Sequence, residues 1–181
     1  MTFDLRERDT LWTDENKARL VKLVASNQLK LSQEELELRL HELVSLVPDL
    51  GSKVHMLKPD LLAALLQDLD KAAHQMIRLK ETFPDSNISL MVSKRPIMLL
   101  QDCDTIVIDA RKVCALLRVE NLDSLVDKHP GLLDIEAVEE VLDELRRMMP
   151  SGTDVRKMLA NDPTLLLSAG RGTKRLGDHP D

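Results

Sequence analysis

Three segments of this chain share one pattern: "ISLMVSKRPIML", "LDSLVDKHPGLL" and "VRKMLANDPTLL". Each has an apolar residue, two variable positions, an apolar pair, three variable positions, a proline, one variable position and a second apolar pair. The positions are Ile88, Met91-Val92, Pro96 and Met98-Leu99; Leu122, Leu125-Val126, Pro130 and Leu132-Leu133; and Val155, Met158-Leu159, Pro163 and Leu165-Leu166. The prolines lie 34 and 33 residues apart. A degenerate copy, "SKVHMLKPDLL", puts Pro59 37 residues before Pro96, with its hydrophobic pair slipped toward the proline. Periods of this length are the signature of stacked helical units.

Elementary chemistry gives each copy its shape. Apolar residues at i, i+3 and i+4 form one face of a short helix. Proline ends that helix, because it has no amide hydrogen and disfavours helical torsions in the residue before it. The same proline suits the first turn of the next helical segment. The chain turns there, and the second apolar pair can seal the seam to a neighbouring unit. The turns "LVPDLGSK", "TFPDSNIS" and "MMPSGTDV" precede these short helices, and "LRVENLDS" has Glu120 in place of the proline. Longer helices are expected between the copies, over 61–83 and 136–149.

Upstream, Lys17–Ala25 suits an amphipathic helix. Ser32 and Glu35 form a capping box that opens a helix with Leu36, Leu40, Leu43, Val44 and Val47 as its apolar stripe. The expected organisation is a helical cap or extension over 1–30, an array over 31–169, and a flexible tail over 170–181, where "GRGTKRLGDHPD" lacks apolar periodicity. Composition agrees with an all-α chain. There are one Trp, two Phe, no Tyr and six Gly, so the core must be Leu, Val, Ile, Met and Ala, and aromatic-rich strands are not expected. The fold class is all-α, a right-handed array of proline-punctuated helical hairpins of about 33–37 residues, α-solenoid-like.

Catalytic chemistry finds no constellation. His41, His55, His74, His129 and His179 are scattered, with no pair at metal-binding helical spacing. Asp102, Asp104 and Asp109 around Cys103 suit a helix N-terminus better than a metal loop. Cys103 and Cys114 have no ligand or disulfide pattern and are expected to be reduced and packed. "GRGT" is not a phosphate-binding loop. No enzyme activity, metal or cofactor is expected, and no apolar run is long enough to span a membrane.

The net charge is −6, but the imbalance lies mainly in residues 1–70, which hold 13 acids and 9 bases against 18 and 16 in the remainder. Basic pairs fall in that balanced part: Lys94-Arg95, Arg111-Lys112, Arg146-Arg147 and Arg156-Lys157, with Arg171, Lys174 and Arg175 in the tail. Equivalent positions of stacked repeats line up, so such pairs could form a stripe for phosphates. Equally, they could neutralise neighbouring acids, as Glu139, Glu140 and Asp143 would Arg146 and Arg147. With so few aromatics, base stacking is not the expected mode. The methionines at repeat positions suit core filling, or alternatively a peptide groove.

The unit of helix, turn, helix, proline and Leu-Leu resembles the repeats of the mTERF family, the mitochondrial transcription termination factors. The resemblance is carried by the three quoted segments and covers about residues 48–167. It implies right-angled stacks of three-helix units and a non-enzymatic role in organellar gene expression, with RNA, DNA or a ribonucleoprotein as partner. It also implies a mitochondrial or chloroplast location, with the targeting peptide outside this sequence; without the resemblance, a cytoplasmic location is expected. The alternative function is a protein–protein scaffold or structural subunit of a larger assembly, which the acidic charge and lack of aromatics favour. A basic stripe on the surface would favour the first reading and an exposed apolar patch the second.

Overall fold

The computed structural model describes residues 13–169, and both the tail over 170–181 and the first twelve residues lie outside that span. Among the described residues there are ten α-helices, three 3₁₀ segments and no strand. The chain is all-α.

Helices α1 (Asp14–Leu29) and α2 (Gln33–Leu46) form an opening hairpin. Thr13 caps α1, and α1 ends at Lys30 in a left-handed conformation, φ 55°, with no glycine. The expected capping box opens α2. The Glu35 amide donates to Ser32 Oγ, and the Ser32 amide donates to the Glu35 carboxylate at 2.9 Å. The Ser32 amide and then the Ser32 hydroxyl, both donating to the Glu35 carboxylate, hold that carboxyl below its ordinary pKa by favouring the charged form. A 3₁₀ segment, Pro48–Met56, then leads to α3 (Pro59–Gln67) and α4 (Leu69–Thr82).

The remaining elements recur in one order. A long helix is followed by a short helix and then by a turn that starts on proline. Helix α4 is followed by α5 (Ile88–Lys94) and the 3₁₀ segment Pro96–Leu99. Helix α6 (Cys103–Leu117) is followed by α7 (Asp123–Val126) and the 3₁₀ segment Pro130–Leu133. Helix α8 (Ile135–Met148) is followed by α9 (Val155–Asn161), a turn at Pro163 and α10 (Leu165–Ala169). The long helices touch in chain order, α2 on α4, α4 on α6 and α6 on α8, while α5 packs between the Pro48 and Pro130 segments.

Burial explains why the apolar pattern recurs. Every apolar position of the three quoted segments is buried or half-buried, and Met91, Val92, Leu99, Val126, Leu132 and Leu159 are fully enclosed. Pro96, Pro130 and Pro163 are buried as well. One core runs from Val21 in α1 to Leu166 in α10, so α1 is packed on the same interior as the units after it.

Two expectations need correction. The long helix expected over 61–83 is two helices. Asp68, at φ −141° and ψ 85°, breaks it, and its side chain accepts from the Lys71 amide to start α4 afresh. A short carboxylate competes well for backbone donors, so it favours a cap over a helix interior. The degenerate copy at Pro59 also differs. Pro59 is only half-buried and opens an α-helix, not a 3₁₀ turn. Its apolar pair has not slipped: Met56 is exposed, while Val54 and Leu57 are buried three residues apart, which matches the three-residue turn of the 3₁₀ helix ahead of it.

Buried polar groups secure the turns. Gln75 is buried in α4, and its Nε2 donates to the carbonyls of Met98 and Gln101 at 3.1 and 3.0 Å. Arg39 Nη1 donates to the Leu66 carbonyl at 3.0 Å, at the end of α3. Both satisfy carbonyls at the ends of helical segments or in the turns after them, which have no intrahelical partner.

Replacing Gln75 with methionine keeps the volume and strands two acceptors, so Gln75→Met should cost about 1–3 kcal/mol in a urea titration. Leu132→Ala, which opens a cavity under the Pro130 segment, should cost about 2–5 kcal/mol. An unchanged midpoint in either variant would contradict the packing described.

Candidate nucleic-acid interface

The residue ahead of each repeat proline is held out of the helix. Arg95 sits at φ −137°, ψ 72°, His129 at −133°, 67° and Asp162 at −133°, 82°. The proline ring forces this by crowding the preceding residue. The backbone therefore leaves each of these three short helices in nearly the same conformation.

Polar contacts join successive junctions. Lys53 Nζ, in the Pro48 segment, donates to Ser93 Oγ in α5 at 2.8 Å. Lys94 Nζ, at the end of α5, donates to the Lys128 carbonyl at 2.8 Å. The Arg95 guanidinium donates to the Pro130 carbonyl at 3.4 Å, lies 3.7 Å from the Asp134 carboxylate, and is 20% exposed. Ser86 Oγ donates to the Asp123 carbonyl at 2.6 Å. Each contact spans 34 to 40 residues, about one repeat.

The four basic pairs singled out by sequence have different fates. Lys94 and Arg95 meet the next junction as described. Arg111 and Lys112 are exposed on α6, where Lys112 pairs with Asp109 at 3.1 Å. At the end of α8, Arg146 pairs with Asp143, and Arg147 Nε donates to the Asp143 carbonyl at 3.3 Å. Arg156 is half-buried and Lys157 exposed on α9. Among the described residues, no hydrogen bond or ion pair joins one of these pairs to another. Five of the eight residues, Lys94, Arg95, Lys112, Arg146 and Arg147, bind acceptors of their own chain.

Searching for adjacent basic residues missed a second pattern. The positions just ahead of the prolines read Lys58-Pro59, Lys94-Arg95-Pro96, Lys128-His129-Pro130 and Asn161-Asp162-Pro163. Counting back from the proline, instead of along the chain, would have found Lys58, Lys128 and His129. Lys58, Lys94 and Lys128 are exposed, and His129 is half-buried. Burial of His129 pushes its pKa below the ordinary histidine value; Lys94 and Lys128 lower it further, while Asp162 and Asp127 oppose them. Asp127 Oδ1 is buried there without a hydrogen-bond partner among the described residues.

The other titratable groups have local roles. Asp102 caps α6 by accepting from the Thr105 amide at 3.1 Å, and Asp104 pairs with Arg78 at 2.5 Å. Cys103 is buried, and burial raises the Cys114 thiol pKa, which keeps it protonated. His55 lies 3.6 Å from the Asp14 carboxylate, and His74 Nδ1 is 2.8 Å from the Asp70 carbonyl. Met91 and Met98 are core residues, whereas Met148 is 70% exposed. No group of three His, Cys, Asp or Glu side chains among the described residues could hold a metal. An open cleft of about 450 Å³ between α3, α4 and the Pro96 segment is lined by Ala64, Gln67, Asp68, Lys71, Leu99 and Leu100; it has no nucleophile with a positioned base. No described helix is long and apolar enough to cross a membrane.

The depressed His129 pKa carries a sign. The unfolded chain takes up this proton at a higher pH than the folded one does. Stability from neutral His129 is therefore complete above the unfolded value, about 6.5, and falls as the pH drops through it toward the folded value. Between pH 7 and 5, His129→Gln should lose less thermal stability than the parent chain, as measured by circular dichroism. Equal losses would mean that His129 carries no such linkage.

No protein-family model, no curated protein and no solved structure matches the chain significantly.

Proposed function

We propose that this chain is a non-catalytic helical-repeat module of the mTERF kind, serving organellar gene expression by binding nucleic acid or a ribonucleoprotein. The observation that carries the reading is the recurring order of long helix, short helix and proline turn, with long helices touching in chain order. On this reading the units stack as a right-handed, α-solenoid-like array, and such arrays present extended surfaces to long ligands. On this reading the chain works in a mitochondrion or chloroplast.

A second reading is a protein–protein scaffold or a structural subunit of a larger assembly. It is favoured by the internal engagement of five candidate basic residues, by the net charge of −6, and by exposed aliphatic side chains at Leu20, Leu23, Leu38, Ile77 and Ile108. Single exposed aliphatics are common on soluble proteins, so they weigh less than the repeat architecture.

Fluorescence anisotropy against mixed-sequence duplex DNA and single-stranded RNA separates the two readings. The proposal expects binding at about 50 mM salt that weakens by orders of magnitude at about 200 mM, because phosphate contacts release counterions. Absence of binding at the lower salt would remove free nucleic acid as the ligand and leave the scaffold reading.

A further inference from the structure

We propose that Lys94 and Lys128, each two residues ahead of a proline at successive junctions, form one basic edge that grips the phosphodiester backbone of a nucleic acid. This inference rests on the nucleic-acid reading above and assigns its contact surface.

The edge follows from register and from contact. Register puts a lysine two residues before Pro96 and Pro130 in turn, and the neutral Asn161 two residues before Pro163. The edge therefore stops short of the Pro163 junction. Contact makes neighbours of these two positions, since Lys94 Nζ reaches the backbone carbonyl of Lys128. An ammonium has three donors, so the bond to the Lys128 carbonyl leaves Lys94 two for a ligand. Among the described residues, neither Lys94 nor Lys128 forms an ion pair with a carboxylate. Arg95 differs, since Asp134 and the Pro130 carbonyl hold it across the junction; it is a tie between units and not part of the gripping surface.

Although the chain is acidic as a whole, His129 is influenced more by Lys94 than by Asp162 or Asp127. The ligand class follows from what is missing as well as from what is present. Phe83, the one Phe, Trp or Tyr among the described residues, is buried, so no such ring on the described surface is available for base stacking. Recognition would run through phosphates, with little sequence preference and a steep salt dependence.

The test uses the full chain and four variants in the anisotropy titrations, with duplex DNA and single-stranded RNA in separate arms. Lys94→Glu/Lys128→Glu reverses the edge, and Lys94→Gln/Lys128→Gln neutralises it with less disturbance to folding. Arg146→Gln/Arg147→Gln and Arg156→Gln/Lys157→Gln are controls off the edge. Thermal melts identify any variant that fails to fold. The edge variants should bind at least roughly tenfold more weakly at low salt. The salt slope of the glutamine pair should fall by about two, one for each lost phosphate contact. The controls should bind like the parent chain. Parent binding that is unchanged in both edge variants would overturn the edge while leaving nucleic-acid binding intact. Greater loss in either control would relocate the surface and also overturn it. No binding by the parent chain to either ligand would remove the edge together with the reading it rests on.

Discussion

The structure depends on what proline does to the residue before it. At Arg95, His129 and Asp162 the ring crowds the preceding backbone out of the helical region, and the absent amide ends the helix. The residue thrown out of the helical region lies three positions past the apolar pair in every unit. The pair after the proline is then delivered to the seam between units, where Met98-Leu99, Leu132-Leu133 and Leu166 are buried. The break in the helix is thus what lets one unit bury its leucines on the next.

A chain that turns so often leaves many backbone carbonyls without helical partners, and buried ones are costly. Long polar side chains meet that need. Gln75 and Arg39 serve turns within the stack, while Lys94 and Arg95 reach a carbonyl one unit further on. The basic residues near the prolines therefore have a structural role whatever they bind. This separates Arg95, which is held on both sides, from Lys94 and Lys128, whose charges remain exposed.

Much of the fold was legible because it is local chemistry. The Ser32–Glu35 capping box, the short helices and the three proline turns all follow from side chains acting on backbone a few residues away. The missed break at Asp68 is also local, but its carboxylate sits between two apolar stretches that each suit a helix, so periodicity alone ran through it. At Pro59 the apolar spacing fitted a 3₁₀ turn as well as a slipped α-helical pair, and only burial distinguished Val54 from Met56. The basic pairs were legible as residues but not as a surface, because adjacency in sequence does not say which carboxylate or carbonyl lies opposite. Lys112 finds Asp109 and Arg146 finds Asp143 on their own helices, while Lys94 finds a carbonyl 34 residues away.

By itself the sequence determined the all-helical class, the period near 34 residues and the points where the chain turns, since proline geometry, capping and apolar spacing act over a few residues. The tertiary structure decided which charges stay exposed and which become ties between units. That choice depends on the acceptor a neighbouring unit presents, and the acceptor is fixed only once the apolar pairs have packed and set the distance between one junction and the next.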